Sequence, residues 1–250
     1  MMTKVKTEAE LQAMRASGTM LATVLAKLKD SLQPGMSTKE LSDIAKAELK
    51  RLGGQPTFLG YYGFPDVLCV SLNDEVVHGI PSSKRIIQEG DIVSMDFGVT
   101  YKGMITDAAI SAVAGKASRQ DAELVKLTER SLMQGIQQVK NGVKTGTIGQ
   151  AIETVLDNHG LGIVRDYVGH GVGHELHEDP NVPNYGQKGQ GPALQAGMTI
   201  AIEPMATLGG EDVYIDEDGW TVRTEDGSRC AHFEHTVLIT DTGYEILTSL

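Results

Sequence analysis

The sequence predicts an α+β chain of two similar halves packed as one domain around a shared sheet. Three observations predict it: helical periodicity near the N-terminus, short β-rich segments bounded by turn residues, and one internal offset that carries both patterns onto the second half. At 250 residues the chain can bury a large core and sits near the upper end for a single domain.

In chain order, Leu11, Met14, Met20, Leu21, Val24, Leu25, Leu28 and Leu32 recur at helical spacing and predict a long amphipathic helix from about residue 8 to 32. After "QPGMS", Leu41, Ile44, Ala45, Leu49 and Leu52 predict a second helix that stops at Gly53-Gly54. The segments "VLCVSL", "DIVSMDFGV", "TIAIEPM" and "EHTVLIT" are read as strands. An offset of 107 lays "PGMSTKELSDIAKAELKRLGG" on "NGVKTGTIGQAIETVLDNHGL" and, with no gap, "EGDIVSMDFG" on "AGMTIAIEPM". Gly35 meets Gly142, Gly53 meets Gly160 and Asp96 meets Glu203. Met20, Leu25 and Leu32 land on Leu127, Leu132 and Val139, so the first helix has a counterpart too. The expected organisation is one catalytic domain over residues 1–250, with halves of approximately 9–112 and 116–250.

Composition narrows the function. A net charge of -11 repels phosphate backbones and argues against direct nucleic-acid binding. No apolar run approaches the roughly 20 residues needed to span a bilayer, so no membrane partner is expected. Glu8 and Glu10 precede any apolar run, which is unlike a signal peptide. Two cysteines, Cys69 and Cys230, are too few for a disulfide framework. A cytoplasmic enzyme or small-ligand binder is the expectation.

Acids inside strands point to the chemistry. Asp96 and Glu203 are flanked by apolar residues, where a charge is costly unless paired or bound to a metal. Each half offers a second acid on a return strand, Asp107 and Glu234, at connections of 11 and 31 residues. Four converging carboxylates cannot ionise together unless cations sit between them. A lone acid in a strand is ordinarily a surface residue; four at symmetric positions are not.

The stretch "GHGVGHELHEDP" supplies nitrogen donors. It fails as a zinc-protease helix, because His174-Glu175-Leu176-His177 is one residue short of that motif and the glycines favour extended chain. In extended chain His170, Val172 and His174 share a face, while His177 falls on the other parity unless a bulge intervenes. His170 has Gly63 as its repeat partner and is therefore a single imidazole added to an otherwise symmetric oxygen cage.

The set Asp96, Asp107, His170, Glu203 and Glu234, with "GHGVGHELHEDP", "IEPM" and "FEHT" around it, resembles the type I methionine aminopeptidases over nearly the whole chain. The resemblance implies the pita-bread fold with its shared antiparallel sheet, and removal of the initiator methionine from nascent polypeptides when the second residue is small. It implies two divalent metals (Co, Mn, Fe or Zn), one chelated by Asp96, the other bound by His170 and Glu203, with Asp107 and Glu234 bridging. Glu203 is expected to move the proton of the attacking water, His177 to polarise the scissile carbonyl, and His78 to contact the amide nitrogen. Tyr61, Phe64, Cys69, Leu176 and Trp220 fall where the family lines its methionine pocket, and Phe58 where a cysteine is common.

The resemblance also implies a monomer in weak association with the ribosome, against which the acidic stretch from Glu211 to Asp226 stands. Ala201, Ala108 and His232 depart from the family pattern beside the ligands and bear on rate and metal preference. Two other readings share the ligands. A proline-directed peptidase ordinarily carries an extra N-terminal domain, and a peptide-binding module would have lost its chemistry.

Overall fold

Two helices open each half, and the local sequence explains where they begin and end. The structure, a computed structural model, describes residues 4–250; residues 1–3 of the expected domain lie outside the described residues. Helix α1 (Glu8–Ser31) starts at Thr7, whose hydroxyl accepts the Glu10 N–H while the Glu10 carboxylate accepts the Thr7 N–H. Helix α2 (Thr38–Leu52) repeats this reciprocal cap with Ser37 and Glu40, and ends on Gly53 at φ 84°, a left-handed conformation that glycine adopts without steric cost. Helices α3 (Arg119–Ile136) and α4 (Thr145–Asp157) follow in the second half.

Hydrogen bonds recur at the spacing of the sequence offset. The Gly35 N–H donates to Ile87 O and the Ile87 N–H to Met36 O, both at 2.8 Å. In the second half, Gly142 donates to Leu194 O and Leu194 to Val143 O at the same distance. Gly90 and Gly197 take nearly the same positive φ, 84° and 85°.

Among the described residues the main sheet has nine strands, and five central neighbours carry the argument. In spatial order these are Ile92–Tyr101, Met104–Val113, Glu234–Ile239, Thr199–Ile202 and Gly169–Gly171, each antiparallel to the next. Helices α1 and α2 cover Val93, Met95, Phe97 and Val99 with Leu21, Leu28, Leu41 and Leu49. Helices α3 and α4 cover Ile200, Ile202 and Val237 with Leu132, Ile148 and Ile152. Each half thus buries one helix pair against its own part of the sheet. No helix of the described residues is long and apolar enough to cross a membrane.

The N-terminal segment is fastened across the fold. The Lys6 side chain is fully buried and its Nζ lies 2.9 Å from Glu178 Oε2, 172 residues away. Glu178 Oε1 accepts the backbone N–H groups of His174 and Glu175, so this pair ties residues 4–7 to the turn that carries Leu176 and His177. Lys6→Met removes one side of this buried ion pair and is expected to cost about 1.5–3 kcal/mol in urea unfolding. Adding Glu178→Gln should recover part of that loss, and an unchanged unfolding midpoint in Lys6→Met would refute the clamp.

Candidate metal centre

Strand register brings three acids to one face of the sheet. Asp96 and Glu234 lie opposite Ala109 from its two sides, and Asp107 is two residues from Ala109 on the same strand. Residues two apart in a strand share a face. Met95 and Phe97, of the opposite parity, enter the helix-side core instead. His235 opposes Ile202, so one further step brings Glu203 beside Glu234. There the strand stops. Pro204 has no N–H to continue the ladder, and the chain leaves for a second sheet at Met205–Thr207. "TIAIEPM" is therefore two strands, a correction to its reading as one.

His170 joins this row from the neighbouring strand. Its ring is buried, Nδ1 donates to Gly171 O at 2.9 Å, and Nε2 faces Glu203 Oε1 at 3.4 Å. That hydrogen bond fixes the tautomer that leaves a lone pair on Nε2 toward the acids. The glycine-rich stretch is extended only over Gly169–Gly171. A turn then reverses the chain so that Glu178 pairs with Gly171, which carries His177 back until its ring centroid lies 4.3 Å from that of His170, overriding simple parity. Tyr61 Oη holds His177 Nδ1 at 2.9 Å. His174, which parity would have grouped with His170, instead bonds Glu10 at 2.8 Å.

A cavity of about 230 Å³ opens over the acids. Asp96, Asp107, His170, Glu203 and Glu234 line it together with His78 and His177, and so do Phe58, Tyr61, Phe64, Cys69, Leu176 and Trp220. Phe58, Phe64, Cys69 and Leu176 form one buried apolar cluster, and Trp220 stands edge-on to Phe64 at 5.2 Å. Phe58 lies on Gly98, where a Cβ would come within 2.7 Å of its ring. His78 sits at φ 62°, outside the usual regions for a side-chain-bearing residue, with its ring edge-on to Tyr167. Tyr62, which the sequence did not single out, is the remaining lining residue; it is exposed at the rim, and only the "YY" doublet hinted at it.

The acidic excursion is more ordered than a solvated loop. Val213–Ile215 and Val222–Thr224 form a hairpin that adds to strand Glu75–Val77. Arg223 binds Asp74, Glu75 and Asp216 at 2.8, 2.8 and 2.6 Å and so pins the hairpin that delivers Trp220 to the cavity.

The electrostatics ask for positive charge. Burial pushes the Asp96, Glu203 and Glu234 carboxyls well above the ordinary range, and the neighbouring acids push them further. Burial raises Asp107 as well. The same desolvation holds His170 and His232 down to about 3, hence neutral. Asp96 Oδ1, Asp107 Oδ1 and Glu234 Oε1 are buried with no hydrogen-bond partner. Ligand atoms of Asp107, His170 and Glu234 lie within 4.8 Å of one another. Orphaned carboxylate oxygens around one neutral imidazole are a donor set that fits divalent cations.

The model of metallopeptidase family M24 matches residues 12–241. The chain belongs to metallopeptidase family M24. Methionine aminopeptidase 1 of Bacillus subtilis (strain 168) is 47% identical to this M24 chain over 243 residues, covering 97% of it and 98% of the relative. A methionine aminopeptidase of Clostridium acetobutylicum is 43% identical and covers 98% of each. Among solved structures, methionine aminopeptidase from Thermotoga maritima superposes with a TM-score of 0.98 at 44% identity, covering 100% of both chains. Prolidase from Pyrococcus furiosus shares the fold alone: TM-score 0.78, 22% identity, 98% of this chain and 65% of that one. The fold is the pita-bread fold, and this M24 chain is a metal-dependent hydrolase.

Proposed function

We propose that this M24 peptidase removes the initiator methionine from new polypeptides whose second residue is small. The observation that carries the reading is the continuity of the cavity: an acid-and-imidazole cage and an apolar wall line the same space. An unbranched, polarizable side chain suits that wall, and its free amine then falls beside the acids. Relatives at 43–47% identity over nearly the whole chain bear the name methionine aminopeptidase.

In this reading Asp96, Asp107, His170, Glu203 and Glu234 would hold two divalent ions. When bound, the ions supply Lewis-acid polarisation and a more acidic water. Glu203 takes the proton of the attacking water and returns it to the leaving amine as the peptide C–N bond breaks. His177, steadied by Tyr61, donates to the oxygen of the scissile carbonyl as charge develops there. His78 contacts the amide nitrogen. The two halves act as one catalytic domain, a reading supported by the paired hydrogen bonds at Gly35 and Gly142. The same reading makes the enzyme a cytoplasmic monomer that meets nascent chains with no more than weak ribosome contact. Its net charge of -11 supports the absence of direct nucleic-acid binding.

Hydrolysis of Met-Ala, Met-Leu and X-Pro peptides, each with Mn, Fe, Co and Zn, tests the proposal. A second side chain that overfills the closed site should cost about 1–3 kcal/mol, or roughly 5- to 150-fold in kcat/KM for Met-Leu against Met-Ala. Equal rates on these two, or faster cleavage of X-Pro peptides, would remove the methionine-specific reading.

A further inference from the structure

Among the described residues, His232 is 1% exposed and neither of its ring nitrogens has a hydrogen-bond partner. Its backbone is locked: its N–H donates to Ser111 Oγ, the Ser111 hydroxyl donates to its carbonyl, both at 2.8 Å, and it pairs with Met205 in the second sheet. An imidazole always carries at least one N–H, and a buried donor left unmatched calls for an explanation.

The geometry supplies one. His232 Nε2 lies 3.9 Å from Glu203 Oε2, while the other oxygen of that carboxylate, Oε1, faces His170 Nε2 at 3.4 Å. Glu203 is therefore flanked by an imidazole on each oxygen. The 3.9 Å gap is about 1 Å beyond a hydrogen bond and too narrow to seat a bridging water, so a small shift of either side chain makes the contact direct.

We propose that His232 is a positioning residue for Glu203: its Nε2–H donates to Oε2 and aims Oε1 at the His170 side of the cavity. The proposal rests on the reading of Glu203 as a ligand and proton carrier. Hydrogen bonds to ligating carboxylates orient them, and losing such an outer partner typically costs about 10- to 100-fold in metal affinity or activity.

The test compares His232→Leu, which removes the donor, with His232→Gln, which keeps a side-chain N–H. Mn²⁺ affinity is read by calorimetry, and kcat and KM on a Met-Ala peptide. His232→Leu is expected to lose about 10- to 100-fold in Mn²⁺ affinity and in kcat with KM little changed, and His232→Gln to recover most of both. Wild-type values in His232→Leu, or equal losses in the two variants, would overturn the proposal. Glu203→Gln, measured alongside, separates the two readings. If it keeps metal affinity and turnover, the role of Glu203 falls; if it loses them while His232→Leu does not, only the role of His232 falls.

A measurement on the unmodified chain stands beside the variants in case His232→Leu does not fold. With ¹⁵N-labelled histidine and Zn²⁺ bound, the His232 imidazole is expected to carry its proton on Nε2. A proton on Nδ1 would overturn the assignment.

Discussion

Glu234→Gln and Asp107→Asn are each expected to leave the fold intact and to abolish turnover. Both side chains are buried, at 2% and 5% exposure, and both have an oxygen with no partner in the protein, so each amide keeps the shape while removing the charge. The backbone at Asp107 does not depend on its carboxylate: its N–H donates to Thr236 Oγ1 at 2.9 Å and its carbonyl accepts from the same hydroxyl at 2.8 Å. A neutral amide is a poor donor for a site that must balance two dications. The loss should therefore exceed the roughly 10- to 100-fold that follows removal of an outer hydrogen-bond partner. Circular dichroism should match the wild type, bound metal per chain should fall, and Met-Ala hydrolysis should disappear. Wild-type turnover in either variant at saturating metal would sink the assignment of two ions.

What the sequence made legible follows from periodicity. Helix spacing at Leu21, Val24, Leu25 and Leu28 reflects burial of one face against the sheet, and all four are core residues. Gly53 marked a helix end because the chain needs a left-handed residue there, and it takes φ 84°. Asp96 and Asp107 stood out because acids broke apolar strand patterns, and register gathers them on one face. Contacts without a period stayed hidden. Lys6 and Glu178 meet across 172 residues, and nothing local in either segment announces the other. The break at Pro204 was visible in composition but read through, because the apolar pattern continued across a residue that cannot extend the ladder. The return of His177 to the side of His170 depends on the chain reversal that pairs Glu178 with Gly171, which alternation alone cannot locate. The hairpin bearing Trp220 is acidic enough to pass for solvated loop until Arg223 is seen to collect three of its surrounding carboxylates.

Metal-free protein is expected to lose stability as pH rises from about 6.5 to 8, the reverse of what buried histidines alone would give. The two sets of groups have opposite signs. Asp96, Asp107, Glu203 and Glu234 have folded pKa values raised by burial above the ordinary value near 4. Below that value they are protonated in both states. Above it the folded state holds more protons than the unfolded one, so their stabilisation is lost as pH rises toward the folded values. His170 and His232 are held down to about 3, and His78 and His235 to about 4, so below the unfolded value near 6.5 the unfolded chain binds more protons and stability climbs with pH. The terms oppose one another from about 4 to 6.5. Above 6.5 the histidine term flattens as the unfolded imidazoles lose their remaining protons, and the four raised carboxyls, outnumbering the lowered Lys6 that acts in the opposite sense, set the slope. Saturating Mn²⁺ should reverse the trend, because the ions bind the ionised cage and stabilise the folded state by mass action. Thermal unfolding of chelator-treated protein reads both, at about 2–4 °C for each kcal/mol in a chain of this size. The gap between metal-free and Mn²⁺-loaded midpoints should widen from pH 6.5 to 8, and Glu234→Gln, with one acid fewer, should show a shallower metal-free slope. A metal-free midpoint that holds level or rises across that window would mean that the four acids ionise together without cations, and the charge-cage account of this centre would fail.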